Sequence, residues 1–264
     1  MKKRWKTCLG FLMFLCSFFI GGNRMDGGFW ATVSAAGSQA EPVYEYETEE
    51  LYAEREDHQI YGVIYIPQGA GDKMPAVIFS HGYGGNHQVG ASYAESLAEQ
   101  ADLEAVITMM QGLDYVDSDN LFLMGTSQGG AVSAITGAAH PEEICGMVLL
   151  YPAFVMVDNA KELFQSVDEI PDTYDFMWME VGRAYFEPLL DYDIYGEIAA
   201  YDKDVLLIHG AEDGIVPLSY SEQALEVYPS AELKVIEGAG HGFYGDDEIL
   251  ATQEILAYLD AHRS

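Results

Sequence analysis

Five short, nearly continuous apolar runs punctuate the chain, and they constrain its fold more than any other feature. They are Ala76-Val77-Ile78-Phe79, Leu121-Phe122-Leu123-Met124, Gly146-Met147-Val148-Leu149-Leu150, Val205-Leu206-Leu207-Ile208 and Leu233-Lys234-Val235-Ile236. An unbroken apolar stretch of this length suits a parallel strand covered on both faces, because neither side of the pleat then meets water. Helical patterns alternate with the runs. The expected architecture is therefore α/β, a mostly parallel central sheet flanked by helices. Ahead of the runs, Val43 to Ala53 and Gln59 to Ile66 read as two strands, and the polar Glu54-Arg55-Glu56-Asp57-His58 between them reads as a hairpin turn. One long interruption, residues 152–200, is rich in aromatic and acidic residues and contains Pro171 and Pro188. It reads as a small cap inserted over the sheet.

The N-terminus has the pattern of a signal peptide. Lys2, Lys3, Arg4 and Lys6 precede an apolar run from Cys8 to Ile20 that is short for a bilayer span. Small residues at Ser34-Ala35-Ala36 fit a cleavage site. Residues 1–36 are thus expected to be removed, by cleavage after Ala36 or within two residues of it, and residues 37–264 to form one folded domain. The product is expected to be secreted or extracytoplasmic, with no stable membrane association after cleavage. The long stretch from Gly21 to Val33 keeps an uncleaved, membrane-anchoring segment as the alternative. Cleavage takes away Cys8 and Cys16, so Cys145 is left alone and no intramolecular disulfide is available. In its apolar surroundings Cys145 reads as a small core residue.

Of the 264 residues, 49% are hydrophobic, which is enough for one sizeable core. The formal net charge of −31 argues against a nucleic-acid partner, since a polyanion needs Lys and Arg to displace its counterions. The acidic surface is read as a solvated coat.

Gly125-Thr126-Ser127-Gln128-Gly129 directly follows one buried run and precedes a helical pattern from Ala131 to Ala139. A G-x-S-x-G match carries weight in this setting, because a sharp strand-to-helix turn exposes the serine at the carboxyl edge of the sheet. Ser80-His81-Gly82-Tyr83-Gly84-Gly85 follows another run. Its glycines allow backbone N–H groups to face inward, as stabilising an oxyanion requires. The two donors are assigned to the backbone N–H groups of Tyr83 and Gln128. A serine hydroxyl also needs a base, and the base needs an orienting carboxylate. Among His58, His81, His87, His140, His209, His241 and His262, the candidate base is His241, in Gly238-Ala239-Gly240-His241-Gly242-Phe243 after the last run. The stretch from His209 to Pro217 supplies the acid, Asp213, with Glu212 as runner-up. His81 and His209 read as strand-end residues.

At these residues the sequence resembles the α/β-hydrolase superfamily, from about Val43 to His262. More narrowly it is similar to small-capped bacterial esterases of the feruloyl or cinnamoyl kind. The matching stretches are His81-Gly82-Tyr83-Gly84-Gly85, Gly125 to Gly130, Ile170-Pro171-Asp172, His209 to Pro217, and Gly240-His241-Gly242-Phe243. The resemblance implies hydrolysis of a small-molecule carboxylic ester through an acyl-enzyme, with Ser127, Asp213 and His241 as the triad and with no cofactor or metal. A peptidase or amidase with the same triad is the alternative. So is a catalytically impaired, hydrolase-like binding protein. Tyr174, Phe176, Trp178 and Tyr185 either line a pocket for an aryl acyl group or form the core of the cap.

In one place the sequence departs from that family. Ser127 lies only 46 positions after His81. Two β-α-β crossovers, of roughly 30 residues each, belong in that interval. One internal strand and its loop are missing, with the junction between Gln100 and Asp102. The apolar stripe flips there: Tyr93, Leu97 and Ala101 mark one helix face, and Leu103, Val106, Ile107 and Met110 the other. The missing strand belongs beside the one ending at Phe79, on the side away from the strand that leads to Ser127. A single helix over residues 91–112 is about 33 Å long and overshoots a typical strand of about 20 Å. The pattern therefore predicts a break or bend near Gln100 to Asp102, or a helix that projects and hides its second apolar face against another chain.

Overall fold

The computed structural model describes residues 12–16, 46–55, 58–67, 73–82 and 96–263. In chain order the strands are β1 (Leu12–Cys16), β2 (Tyr46–Arg55), β3 (His58–Pro67), β4 (Met74–Ser80), β5 (Val116–Thr126), β6 (Gly146–Leu150), β7 (Thr173–Phe176), β8 (Met179–Gly182), β9 (Val205–Gly210) and β10 (Ala231–Ile236). The helices are α1 (Ser96–Gln111), α2 (Gln128–Ala139), α3 (Met156–Leu163), α4 (Arg183–Phe186), α5 (Ile194–Ile198), α6 (Ser219–Val227) and α7 (Asp246–His262).

Eight strands form one sheet in the order β10-β9-β6-β5-β4-β1-β3-β2. Every neighbouring pair from β10 to β1 is parallel, and β3 and β2 complete the sheet in antiparallel fashion. The β2–β3 hairpin pairs across its whole length, with Tyr52 opposite Tyr61 and their rings 5.5 Å apart. The apolar runs of β6 and β9 are buried on both faces and those of β4 and β5 nearly so, whereas the run in β10, at the sheet edge, leaves Val235 40% exposed; the alternation of the pleat divides the buried residues between two layers. Ala76, Ile78, Leu121 and Leu123 join α1 and α2 in the larger core. Val77, Phe122, Val148, Leu206 and Ile208 face the other way, against Ala251, Tyr258 and Leu259 of α7. The Tyr258 hydroxyl also accepts from the Met147 amide at 3.1 Å and donates to the Asp204 carbonyl, which ties α7 to the sheet.

Among the described residues one helix, α1, lies between β4 and β5, and it runs unbroken through Gln100 to Asp102. The expected break is not there, nor does the second face project into solvent. Leu103, Val106, Ile107 and Met110 are each at most 1% exposed. Length is the physical reason. The described helix has 16 residues, about 24 Å, whereas β5 beneath it has 11 residues, about 36 Å. The helix does not overshoot, so the later face lies on the sheet.

The position beside β4, on the side away from β5, is filled by β1 from the N-terminal apolar run. The rest of residues 1–36, including Ser34-Ala35-Ala36, lies outside the described residues. Among the described residues no helix is long and apolar enough to cross a membrane. Cys145 is half-buried, and burial pushes its thiol up to about 12, so it stays protonated and unreactive.

Between β6 and β9 the chain builds a cap from α3, the β7–β8 hairpin, α4 and α5. Phe164, Tyr174, Phe176, Tyr185 and Phe186 pack ring against ring, with centroids 4.9–6.0 Å apart. The Arg183 guanidinium binds the hairpin to the preceding loop by donating to the Ile170 carbonyl at 2.6 Å and the Val167 carbonyl at 2.7 Å.

Candidate active site

Ser127 is the single residue between β5 and α2, and its backbone stands at φ 52, ψ −120. A non-glycine residue in this region carries about 1–3 kcal/mol of strain, so its surroundings must hold it there. The Ser127 amide donates to the Leu150 carbonyl at 3.0 Å, and its carbonyl accepts from the amides of Gly130 at 3.0 Å and Ala153 at 2.8 Å. The turn is too tight for side chains on either flank. A Cβ on Gly125 would run into the backbone of Gly129, and one on Gly129 into the backbone of Ser80 and His81. Gly82 is constrained likewise, since its Cβ would sit 2.9 Å from that of Ser127. The loop after β4 therefore lies directly against Ser127.

Three residues meet at this point. His241 Nε2 is 3.0 Å from Ser127 Oγ, and His241 Nδ1 is 2.8 Å from Asp213 Oδ2. With Nδ1–H donating to the carboxylate, Nε2 is free to accept the serine proton. The Asp213 carboxylate is itself pinned, because Oδ1 accepts from the amides of Ile215 and Val216, each at 2.9 Å. Its side chain is wholly buried, and that of His241 is 17% exposed. Glu212, the runner-up acid, instead uses its backbone amide to bond the Ala239 carbonyl at 2.9 Å.

Two further residues shape the site: His209, read from the sequence only as a strand-end residue, and Tyr151, which no motif marks. His209 closes the end of β9 and is also completely buried beside the carboxylate. Its Nε2 donates to the Val216 carbonyl at 2.9 Å and lies 3.3 Å from Asp213 Oδ2, while Nδ1 accepts from Ser221 Oγ at 2.7 Å. Burial holds its pKa below the ordinary histidine value, so the ring is neutral and polarises Asp213 without competing for its charge. Its spacing of four residues from Asp213 is the one trace of this in the sequence. Tyr151, at φ 37, sets its ring edge-on to His241 at 4.8 Å and to Phe243 at 5.0 Å. Burial pushes its phenol up to about 12, so it walls the site as a neutral group.

Gln128 opens α2, which puts its backbone N–H at the amino end of the helix beside Ser127. Tyr83, the other assigned donor, lies outside the described residues, as does His87. His81 turns its Nδ1 to the Gly82 carbonyl at 3.0 Å, and His140 pairs with Glu104 and Glu143, so neither joins Ser127. Among the described residues no cluster of His, Cys, Asp or Glu is arranged to hold a metal.

Above Ser127 and His241 a cavity of about 250 Å³ opens under the cap. Phe176, Met177 and Trp178 come from the β7–β8 hairpin, Tyr185 from α4, Met156 and Asn159 from α3, and Ile215 and Tyr244 from the loops after β9 and β10. The cap aromatics divide their labour. Tyr174 packs only in the cap cluster, Trp178 lines the cavity, and Phe176 and Tyr185 do both. Among the described residues no charged side chain lines the cavity.

Fold and site together define an α/β-hydrolase of the esterase and peptidase type. The chain belongs to the prolyl oligopeptidase family, whose profile matches residues 76–263. Two relatives carry the name carbamate hydrolase RutD. One, from a Caulobacter species, is 32% identical over 96 residues, 36% of this chain and 35% of that protein. The other, from Caulobacter vibrioides, is 24% identical over 255 residues, 93% of this chain and 89% of that protein. Among solved structures, Est1E from Butyrivibrio proteoclasticus superposes with a TM-score of 0.68 at 21% identity, covering 80% of this chain and 99% of its own. That likeness speaks for the fold.

Proposed function

We propose that this protein is a serine esterase that cleaves uncharged carboxylic esters through an acyl-enzyme. One observation carries the reading: Ser127, strained at its turn and in line with His241 and Asp213, opens into a cavity whose described lining residues include no charged side chain. Ser127 Oγ attacks the ester carbonyl while His241 Nε2 takes its proton. The oxyanion is held by backbone N–H groups, Gln128 and Tyr83 in this assignment. The C–O bond then breaks, and His241 returns the proton to the departing alcohol. Water adds to the acyl-enzyme with His241 again accepting and releasing a proton, which yields the carboxylic acid and free Ser127. Asp213 keeps the imidazole in the needed tautomer and stabilises its charged form.

The cavity's aromatic walls and size favour a short-chain or hydroxycinnamoyl acyl group. Est1E, whose structure has also been described with ferulic acid bound, has the same fold. Family membership favours a second reading, a peptidase or amidase. Peptide termini are charged, however, and among the described residues the cavity lining holds no counter-charge for them. A panel of short-chain, hydroxycinnamoyl and long-chain esters alongside prolyl and alanyl anilides separates the two. Ester turnover at least tenfold faster than anilide turnover supports the esterase, and the reverse order replaces it with the peptidase. A fluorophosphonate probe is expected to label Ser127 alone; labelling elsewhere removes the mechanism.

A further inference from the structure

The sheet contains a strand position that the main body of the chain does not fill. β3 and β4 are consecutive in sequence yet not neighbours in the sheet, and β1 stands between them. It runs antiparallel to β3, with Met13 opposite Tyr65, Phe14 opposite Ile64, Leu15 opposite Val63 and Cys16 opposite Gly62. It runs parallel to β4, with Met13 opposite Val77, Phe14 opposite Ile78, Leu15 opposite Phe79 and Cys16 opposite Ser80. After β4 the described chain returns through α1 to β5, on the far side, and among the described residues the shortened crossover brings no strand to this position.

We propose that Leu12–Cys16 is a built-in donor strand, kept in the folded enzyme to replace the strand that the shortened crossover lacks. Backbone accounting requires an occupant. Strands about 4.8 Å apart leave β3 and β4 nearly 10 Å from each other with β1 between them, too far to bond directly. An empty position would leave the facing N–H and C=O groups of both strands unpaired in mid-sheet. The sequence Leu-Met-Phe-Leu-Cys has the continuous apolar character of a strand covered on both faces. It is also the apolar run of the expected signal peptide, and the two fates exclude each other: a leader cut away and lost after Ala36 leaves the position vacant. Occupancy reaches the site as well. β1 pairs with Ser80, the residue before His81-Gly82, and Gly82 lies against Ser127. The strand therefore braces the segment on which the oxyanion loop is mounted.

Register gives a test in the full chain that does not depend on what the enzyme cleaves. With Cys8→Ser and Cys145→Ser, Cys16 is the one native thiol left. Gly62→Cys then places a thiol directly opposite it, and Val63→Cys places one a residue away, on the other face of the strand. Oxidation is expected to join residues 16 and 62 and not 16 and 63, read by mass spectrometry of the digest. Linkage at both positions, or at neither, overturns the proposal. In a second experiment a protease site is inserted after Ala36 and the folded full chain is cut there. The released segment is expected to stay with the body on size exclusion, and Leu15→Pro, which removes a ladder donor from a doubly paired strand, to lower Tm by roughly 5–10 °C. A segment that leaves while Tm and activity hold shows the position to be dispensable and also overturns the proposal.

Discussion

The two halves of the sheet are assembled differently. From β5 to β10 each strand reaches the next through elements supplied by the intervening chain, and three of the loops at the carboxyl edge each deliver one candidate site group: Ser127 after β5, Asp213 after β9, His241 after β10. On the other side of β4 the order is set by a strand borrowed from far along the chain and by a hairpin that covers the edge. Burial is deepest at the centre and falls at both edges: β6 and β9 are buried at every residue, whereas Val235 on β10 is 40% exposed and Tyr52 on β2 49%. The chemistry is thus mounted on the half whose geometry is locally determined, and the distant pairing supports it from the flank.

The comparison yields graded expectations. The largest effect belongs to the site. Ser127→Ala should lower kcat/KM for esters by about 10³-fold or more while leaving Tm close to wild type, because in the proposed mechanism the hydroxyl forms the acyl bond, and it adds little to the core. An activity loss that tracked a falling Tm would blur the division between halves. Next comes packing. Ile107→Ala, at a site 1% exposed, should cost about 2–5 kcal/mol in denaturant unfolding, and Tyr52→Ala on the hairpin about 1 kcal/mol or less. Equal costs would mean that the hairpin side is as tightly determined as the centre.

Below these lies a pH effect. His209 is held neutral by burial, so its folded pKa sits below the ordinary 6.5. The unfolded chain takes up a proton there first, and stability from this residue is present above about 6.5 and lost as pH falls beneath it. His140, whose pKa is raised by Glu143 and Glu104 against the opposing pull of burial, works in the other direction. The Tm difference between wild type and His209→Gln should therefore shrink between about pH 7.5 and pH 5.5. A constant difference would assign His209 a purely steric role. Smallest is Trp178→Ala on the exposed cap rim. It should raise KM for hydroxycinnamoyl esters several-fold and leave short-chain esters and Tm nearly unchanged, within about 0.5 kcal/mol of stability.

Much of the central sheet was legible because five apolar runs have one structural reading when helices alternate with them. Ser127, Asp213 and His241 were legible because each follows such a run in the required order, and the structure does bring them together. The segments that misled share another property: their sequences satisfy two structures equally. Residues 93–110 carry two apolar faces, and choosing between them required the true start of the helix and the length of β5. Leu12–Cys16 has the composition of a leader and of a doubly covered strand, and no local pattern separates these. His209 and Tyr151 escaped for a third reason, since their roles depend on contacts made only after β6, β9 and the His241 loop come side by side.

The placement of β1 also has a temporal consequence. Leu12–Cys16 leaves the ribosome before either strand it pairs with, and Phe14 must wait for Ile64 and then Ile78 to be synthesised. Translation adds about 5–20 residues per second, so the apolar segment is exposed for several seconds with nowhere to dock. During that interval it is open to whatever in the cell captures nascent hydrophobic chains, and capture competes with insertion into the sheet. The segment is made before both strands that flank it, so the speed of elongation through β4 becomes part of what decides whether Leu12–Cys16 reaches its place in the sheet.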